Sequence, residues 1–148
     1  MGFLSEAGAS SEAFLGKPQR LEVSELEIVG RNGKRHVFKV EMARTPRQQE
    51  IGMMYRRSIG PDEGMLFLFP RPRQAAFWMM NTYIPLDLIF ITKSGRVESI
   101  AANAEPHSLA ALQSRSSVIA VLEIAGGRAA ELGIAEGDRV INSELARQ

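Results

Sequence analysis

Apolar and polar positions alternate in short runs along most of this chain, and that period of two predicts β-strands. "LEVSELEIVG" and "HVFKVEMA" flank "RNGK", so a hairpin is expected, with Asn32-Gly33 supplying a type I′ turn. Phe38, Val40 and Met42 alternate with Lys39 and Glu41, the signature of a half-buried strand. "PLDLIFI" and "RVESIAA" surround "KSG", a second hairpin signal. "MLFLF", "AAFWMM" and "SVIAVLEIA" are further strand candidates, and "PRPRQ" cannot be a central strand because proline donates no ladder hydrogen bond.

The period changes in "TPRQQEIGMMYRR". Thr45 is an N-cap, Pro46 suits the first helical position and Gln48 completes a capping box, so a short helix is predicted over residues 46 to 54. Ile51 and Met54 lie three apart on one of its faces. "GGRAAELG" can form one or two helical turns ending at Gly133, before "GDRVIN" closes as a short strand. Many short strands, Gly/Pro turns and one capped helix predict a mainly β fold, a β-sandwich or barrel-like single domain over residues 21–148. The Ala/Gly/Ser/Glu-rich residues 1–20 read as a flexible leader, with no basic or apolar signal-peptide region.

Composition narrows the functional classes. A chain of 148 residues with 45% hydrophobic and 24% charged residues can bury a core without staples. There is no cysteine, which excludes a disulfide scaffold, a thiolate metal site and a cysteine nucleophile. His36 and His107 lack ligand spacing, so no metal or other cofactor is expected. No apolar run approaches the roughly 20 residues of a transmembrane segment.

The net charge is +1, but residues 44 to 73 carry Arg44, Arg47, Arg56, Arg57, Arg71 and Arg73 against Glu50, Asp62 and Glu63. No aromatic ladder runs through that basic stretch, which argues against nucleic acid as a partner.

Candidate chemistry sits where polar groups interrupt apolar strands. In an extended "LDLIFI", Asp87 shares a face with Ile89 and Ile91; in "VIAVLEI", Glu123 shares a face with Ile119 and Val121. Each is either a carboxylate held by arginine or backbone donors, or a group at a cleft rim. In an extended "FWMMNT", Trp78 faces the same way as Met80 and Thr82, as core or as a stacking platform beside Asn81 and Asp87. Asp62 and Glu63 precede Gly64, which reads as a turn with Gly64 at positive φ.

These motifs together resemble the domain-of-unknown-function family 192. "TPRQQEIGMMYR", "DEGMLFLF", "FWMMNTYIPLDLIFI", "VLEI" and "GIAEGDRV" occur in that family's order over about residues 22 to 142. The resemblance implies a compact, mainly β, bacterial or archaeal domain with no established reaction, and many similar proteins are exported. It marks Gln49, Gly52, Met54, Arg56, Glu63, Gly64, Met65, Trp78, Met79, Asn81, Thr82, Pro85, Leu86, Asp87 and Glu123. Met80 departs from it, since lysine is usual at that position.

The expected function is a small periplasmic or secreted domain that binds a polar small molecule. A saccharide or other envelope component fits, at a site drawn from Arg56, Glu63, Trp78, Asn81, Thr82, Asp87 and Glu123. The alternatives are a hydrolase or lyase using Asp87 with Glu123 or Glu63, and an accessory module that docks on a partner protein.

Overall fold

The computed structural model describes residues 16–145, so most of the expected leader lies outside the described residues. The strands are β1 (Val23–Val29), β2 (Arg35–Ala43), β3 (Glu63–Arg73), β4 (Ala76–Phe77), β5 (Leu86–Ile91), β6 (Val97–Ala104), β7 (Leu112–Gln113), β8 (Val118–Ala125) and β9 (Arg139–Ile141). Two short helices, α1 (Pro46–Ile51) and α2 (Arg128–Leu132), complete the described elements.

Seven strands form one curled sheet in the order β6-β5-β8-β3-β2-β1-β9, while β4 and β7 make a separate two-stranded ribbon. Every pairing in the large sheet is antiparallel except β2 with β3. The sheet's two ends meet along one rim. Arg96 bridges Arg139, Val97 donates its amide to Asp138 O at 2.9 Å, and Val140 donates to Gly95 O at 2.8 Å. The result is a curled half-barrel, mainly β as expected.

Alternation explains which side chains fill it. Leu26, Ile28, Phe38, Val40, Met42, Ile89 and Leu122 point into the curl and build the inner core. Met65, Phe67, Phe77, Leu88, Phe90 and Val121 build a second, outer cluster. The central strands β5 and β8 are therefore apolar on both faces, and all six residues of β5 are buried. Phe67 and Phe90 each meet Phe77 edge-to-face, which ties the β4–β7 ribbon to the sheet.

Local chemistry sets the connections, with some departures from the pattern. The first hairpin forms, but not with a type I′ turn: only Gly33 has positive φ (79°), and Gly33 N–H reaches Gly30 O at 3.0 Å. This is a three-residue loop closed by a left-handed glycine, and Lys93-Ser94-Gly95 repeats it with Gly95 at 79°.

Helix α1 has the expected capping box, with Gln48 N–H on Thr45 Oγ1, yet it stops at Ile51 rather than running to Met54. Gly52 breaks it at φ 51°. The residue it buries is Gln49, whose amide donates to Ala43 O at 3.0 Å and Leu68 O at 2.7 Å. As expected, "RAAEL" forms a short helical stretch between Gly127 and Gly133, the second helix among the described residues and one without a side-chain cap.

β3 runs through the prolines to Arg73, but its pairing with β8 lapses between Leu68 and Arg73. "AAFWMM" yields only two strand residues, so Trp78, Met80 and Thr82 do not share a strand face. Gly64 is not at positive φ. A Cβ there would lie 2.5 Å from Glu123 O, so glycine allows β3 to approach β8.

Candidate functional site

The two buried carboxylates of the central strands lie on opposite faces of the sheet. Asp87 belongs to the inner face, with Ile89 and Ile91. Its Oδ1 accepts from Asn103 N–H at 2.7 Å and Gly127 N–H at 3.0 Å, and its Oδ2 accepts from Ala129 N–H at 2.9 Å. It thus holds the first turn of α2, which has no side-chain cap of its own, and delivers Ala129 into the inner core. The preceding residue, Arg128, ties the same turn to Pro61 O and Asp62.

Glu123 faces outward, in register with Met65 of β3 and Leu88 of β5. Met65 in turn lies opposite Glu41 of β2, so one cross-strand row reads Glu41, Met65, Glu123, Leu88. Glu41 and Glu123 are two strands apart, about 10 Å between Cα atoms. Arg56, only 5% exposed, lies over this row. It forms a two-pronged ion pair with Glu41, Nη1 to Oε2 at 2.6 Å and Nη2 to Oε1 at 2.7 Å. Nη2 also donates to Gln19 O at 2.6 Å. Arg56 Nε is sealed from solvent and finds no acceptor among the described residues.

Charge and burial compete differently at the two glutamates. Burial works to raise the Glu41 carboxyl, but Arg56 and the Leu21 amide, at 2.7 Å, overcome it and hold the group below its usual range. At Glu123 burial prevails over the attraction of the positive charges around it, Arg56 being a minor one, and pushes the carboxyl up to about 7. A cavity of about 460 Å³ opens beside the Arg56–Glu41 pair, with Lys39, Ser58, Ile59 and Glu63 among its walls. Glu63 is exposed at its rim and accepts the Gly60 amide at 2.7 Å.

A larger groove, about 610 Å³, lies between the first hairpin turn and α2. Its charged walls, among them Arg31, Lys34 and Glu131, are exposed, and its buried Asp138 already accepts the Ala135 amide at 2.9 Å. The smaller cavity is the better candidate because it adjoins a buried ion pair that the fold does not use to cap a turn.

Three loops meet beside that ion pair. Tyr55, Asn81 and His107 all have positive φ, at 69°, 54° and 66°, which strains L-residues by about 1–2 kcal/mol each. Tyr55 N–H donates to Asn81 O at 2.8 Å, Asn81 Nδ2 to Tyr55 Oη at 3.2 Å, and His107 N–H to Thr82 O at 3.1 Å. Thr82 is fully buried and bonds Met80 O. The Tyr83 ring lies 6.3 Å from Tyr55 and 5.4 Å from His107, with Arg57 over it at 5.6 Å. Trp78 is half-buried in the connection after β4.

The structure therefore gathers Arg56 and Glu63 at one cavity with Glu123 behind it, and joins Asn81 and Thr82 to that region through Tyr55. It does not bring Asp87 there. Asp87 and Glu123 sit on opposite faces and cannot act on one cavity. Sequence reasoning missed Glu41, because its alternation with Val40 and Met42 looks like an ordinary solvent-facing position. It also missed Gln19, assigned to the leader. No pattern in the sequence points at either.

The profile of one family, DUF192, described as "Uncharacterized ACR, COG1430", matches residues 27–141. The chain belongs to the DUF192 family. A crystal structure of a candidate transcription regulator from Sinorhizobium meliloti is similar, with 40% identity, a TM-score of 0.82, and coverage of 86% of this chain and 98% of that one. A protein of unknown function from Novosphingobium aromaticivorans is 44% identical, with a TM-score of 0.80 and coverage of 90% and 99% respectively. No curated protein matches the chain. Among the described residues no group of His, Cys, Asp and Glu could hold a metal, and no helix is long and apolar enough to cross a membrane.

Proposed function

We propose that this DUF192 protein is a small-ligand-binding domain whose site is the cavity beside Arg56 and Glu41. The observation that carries the reading is the buried two-pronged ion pair at its edge. Burying such a pair seldom stabilises a fold more than apolar side chains would, so its presence calls for a purpose beyond packing. The walls suit a polar molecule with a hydrocarbon face. Lys39, Ser58 and Glu63 offer charges and a hydroxyl, while Leu21, Val23 and Ile59 offer apolar surface. A saccharide or other hydroxylated envelope component has that character.

An extracytoplasmic setting belongs to the same proposal. A cysteine-free composition fits it, and cell fractionation of the native protein tests it, with recovery in the cytosol counting against it. For the site, the test is a thermal-shift screen of polar small molecules, followed by titration of hits against Lys39→Ala and Ser58→Asp, both exposed side chains. Both positions border the cavity at its edge, so the fold should survive. A hit that loses at least tenfold in affinity in these variants supports the reading. Hits that ignore both, yet vanish when His36 or Glu131 of the larger groove is changed, would overturn it.

A further inference from the structure

We infer that the Nε–Nη2 edge of Arg56 is a binding site for a small carboxylate, reached when the strap at residues 17–22 lifts. This rests on the cavity reading above and names its ligand class and its gate. A guanidinium has two forks that match a carboxylate: the end formed by Nη1 and Nη2, and the side formed by Nε and Nη2. Glu41 takes the end fork with both oxygens. On the side fork, Nη2 donates to a single backbone carbonyl, Gln19 O at 2.6 Å, and Nε is buried with no acceptor among the described residues. A buried charged donor left without an acceptor is unfavourable. One carbonyl thus stands where two coplanar oxygens would fit.

The strap that supplies this carbonyl is fastened by a few bonds. The Gln19 amide donates to Gln48 O at 2.8 Å and Gly52 O at 3.0 Å, Leu21 N–H to Glu41 Oε1 at 2.7 Å, and Met42 N–H to Glu22 O at 2.9 Å. Its side chains are exposed or half-buried, so lifting residues 17–20 uncovers little core. A carboxylate that enters takes over Nη2 from Gln19 and gives Nε its missing acceptor.

Charge favours a monoanion over a dianion. Arg56 already faces Glu41, and Glu123 lies in the same cross-strand row, so a second negative charge on the ligand would meet both. Glu123, pushed up to about 7 by burial, carries a proton for much of the time at neutral pH and tolerates one. Lys39 and Arg20 on the cavity wall attract it.

The test is to follow the Arg56 Nε–H signal by nitrogen-15 NMR during titration with acetate and with lactate, using glucose and inorganic phosphate as comparison probes. The expected result is a saturable shift of that signal with acetate or lactate, together with faster amide exchange over residues 17–22. Gln19→Gly removes the two amide bonds of the strap and should raise carboxylate affinity at least threefold. Arg56→Lys keeps the charge without the side fork and should lose at least tenfold. If that variant does not fold, Gln19→Gly and the wild type still decide the matter. An unmoved Nε–H signal in Gln19→Gly, with its strap shown open by exchange, overturns the inference. Glucose moving Ser58 and Ile59 signals without Nε–H overturns it too, and leaves the cavity reading standing. No response to any probe overturns both.

Discussion

Asp87 and Glu123 are neighbours across two paired strands, equally buried, and chemically almost the same, yet they have opposite relations to the fold. Asp87 turns inward and receives three backbone N–H groups that α2 and the end of β6 would otherwise leave unsatisfied. Glu123 turns outward between Met65 and Leu88, and burial holds its carboxyl above the ordinary range, up to about 7. A buried carboxylate is a scaffold element when backbone donors surround it. It becomes a chemical resource when burial, rather than a shell of backbone donors, sets its ionisation.

The largest expected effect is at Asp87. Asp87→Ala removes the acceptor of three amide donors, that of Ala129 buried and the other two part-buried, and should destabilise by about 3–5 kcal/mol, read by urea unfolding. Asp87→Asn keeps one oxygen and presents an NH₂ to a donor, so about half that loss is expected. A near-neutral Asp87→Asn would mean the aspartate is not what secures α2, and the contrast between the two carboxylates would fall.

Next is the ion pair on the outer face. Arg56→Met leaves Glu41 half-buried without its cation and should cost about 3 kcal/mol. The double variant Arg56→Met with Glu41→Leu should recover most of that loss, because two apolar groups replace the pair. Equal losses in both variants would show that Arg56 matters through packing alone.

The third effect depends on pH. The folded Glu123 carboxyl titrates near 7 and the unfolded one near 4.5, so between those values the folded state binds more protons. Stability therefore falls as pH rises through this window, and the penalty is complete above pH 7. From pH 5 to pH 8 Glu123 should remove about 2–3 kcal/mol from the wild type and nothing from Glu123→Gln. The comparison sharpens if the two pH profiles, measured by urea unfolding, coincide near pH 4 and separate progressively up to about pH 7. Parallel profiles would sink the assignment.

The smallest effect is at the strap. Gln19→Ala loses two part-buried hydrogen bonds and should cost about 1 kcal/mol, with faster amide exchange confined to residues 17–22 and the end of α1. Exchange that accelerates across β2 and β3 instead would mean the strap is part of the core.

Period-two alternation made much of this fold legible. It placed β1, β2, β5, β6 and β8, and the Thr45–Gln48 pattern placed the start of α1. It could not say which face of β5 and β8 turns inward, since both are covered on both faces and the direction of curl does not follow from their apolar runs. Nor could it end α1 at Ile51, because the stop comes from Gly52 and the tertiary bonds of Gln49. At the site, the sequence singled out Arg56, Glu63 and Glu123 as residues of interest. It also grouped Asp87 with them, because alternation gives each strand its own two faces but not the register that sets Asp87 opposite Ile124 and Glu123 opposite Leu88. Glu41 was invisible because its partner Arg56 sits in the connection between β2 and β3, and how that connection folds back over the sheet is not written in the alternation.

The most direct test of the contrast is a carbon-13 NMR titration of the Glu123 side-chain carboxyl from pH 4 to pH 9, with the signal assigned by its disappearance in Glu123→Gln. The structure calls for an inflection near pH 7. An inflection near 4.5 would show a carboxylate as comfortable as one in water, and Glu123 would then be no more than another paired group in the sheet.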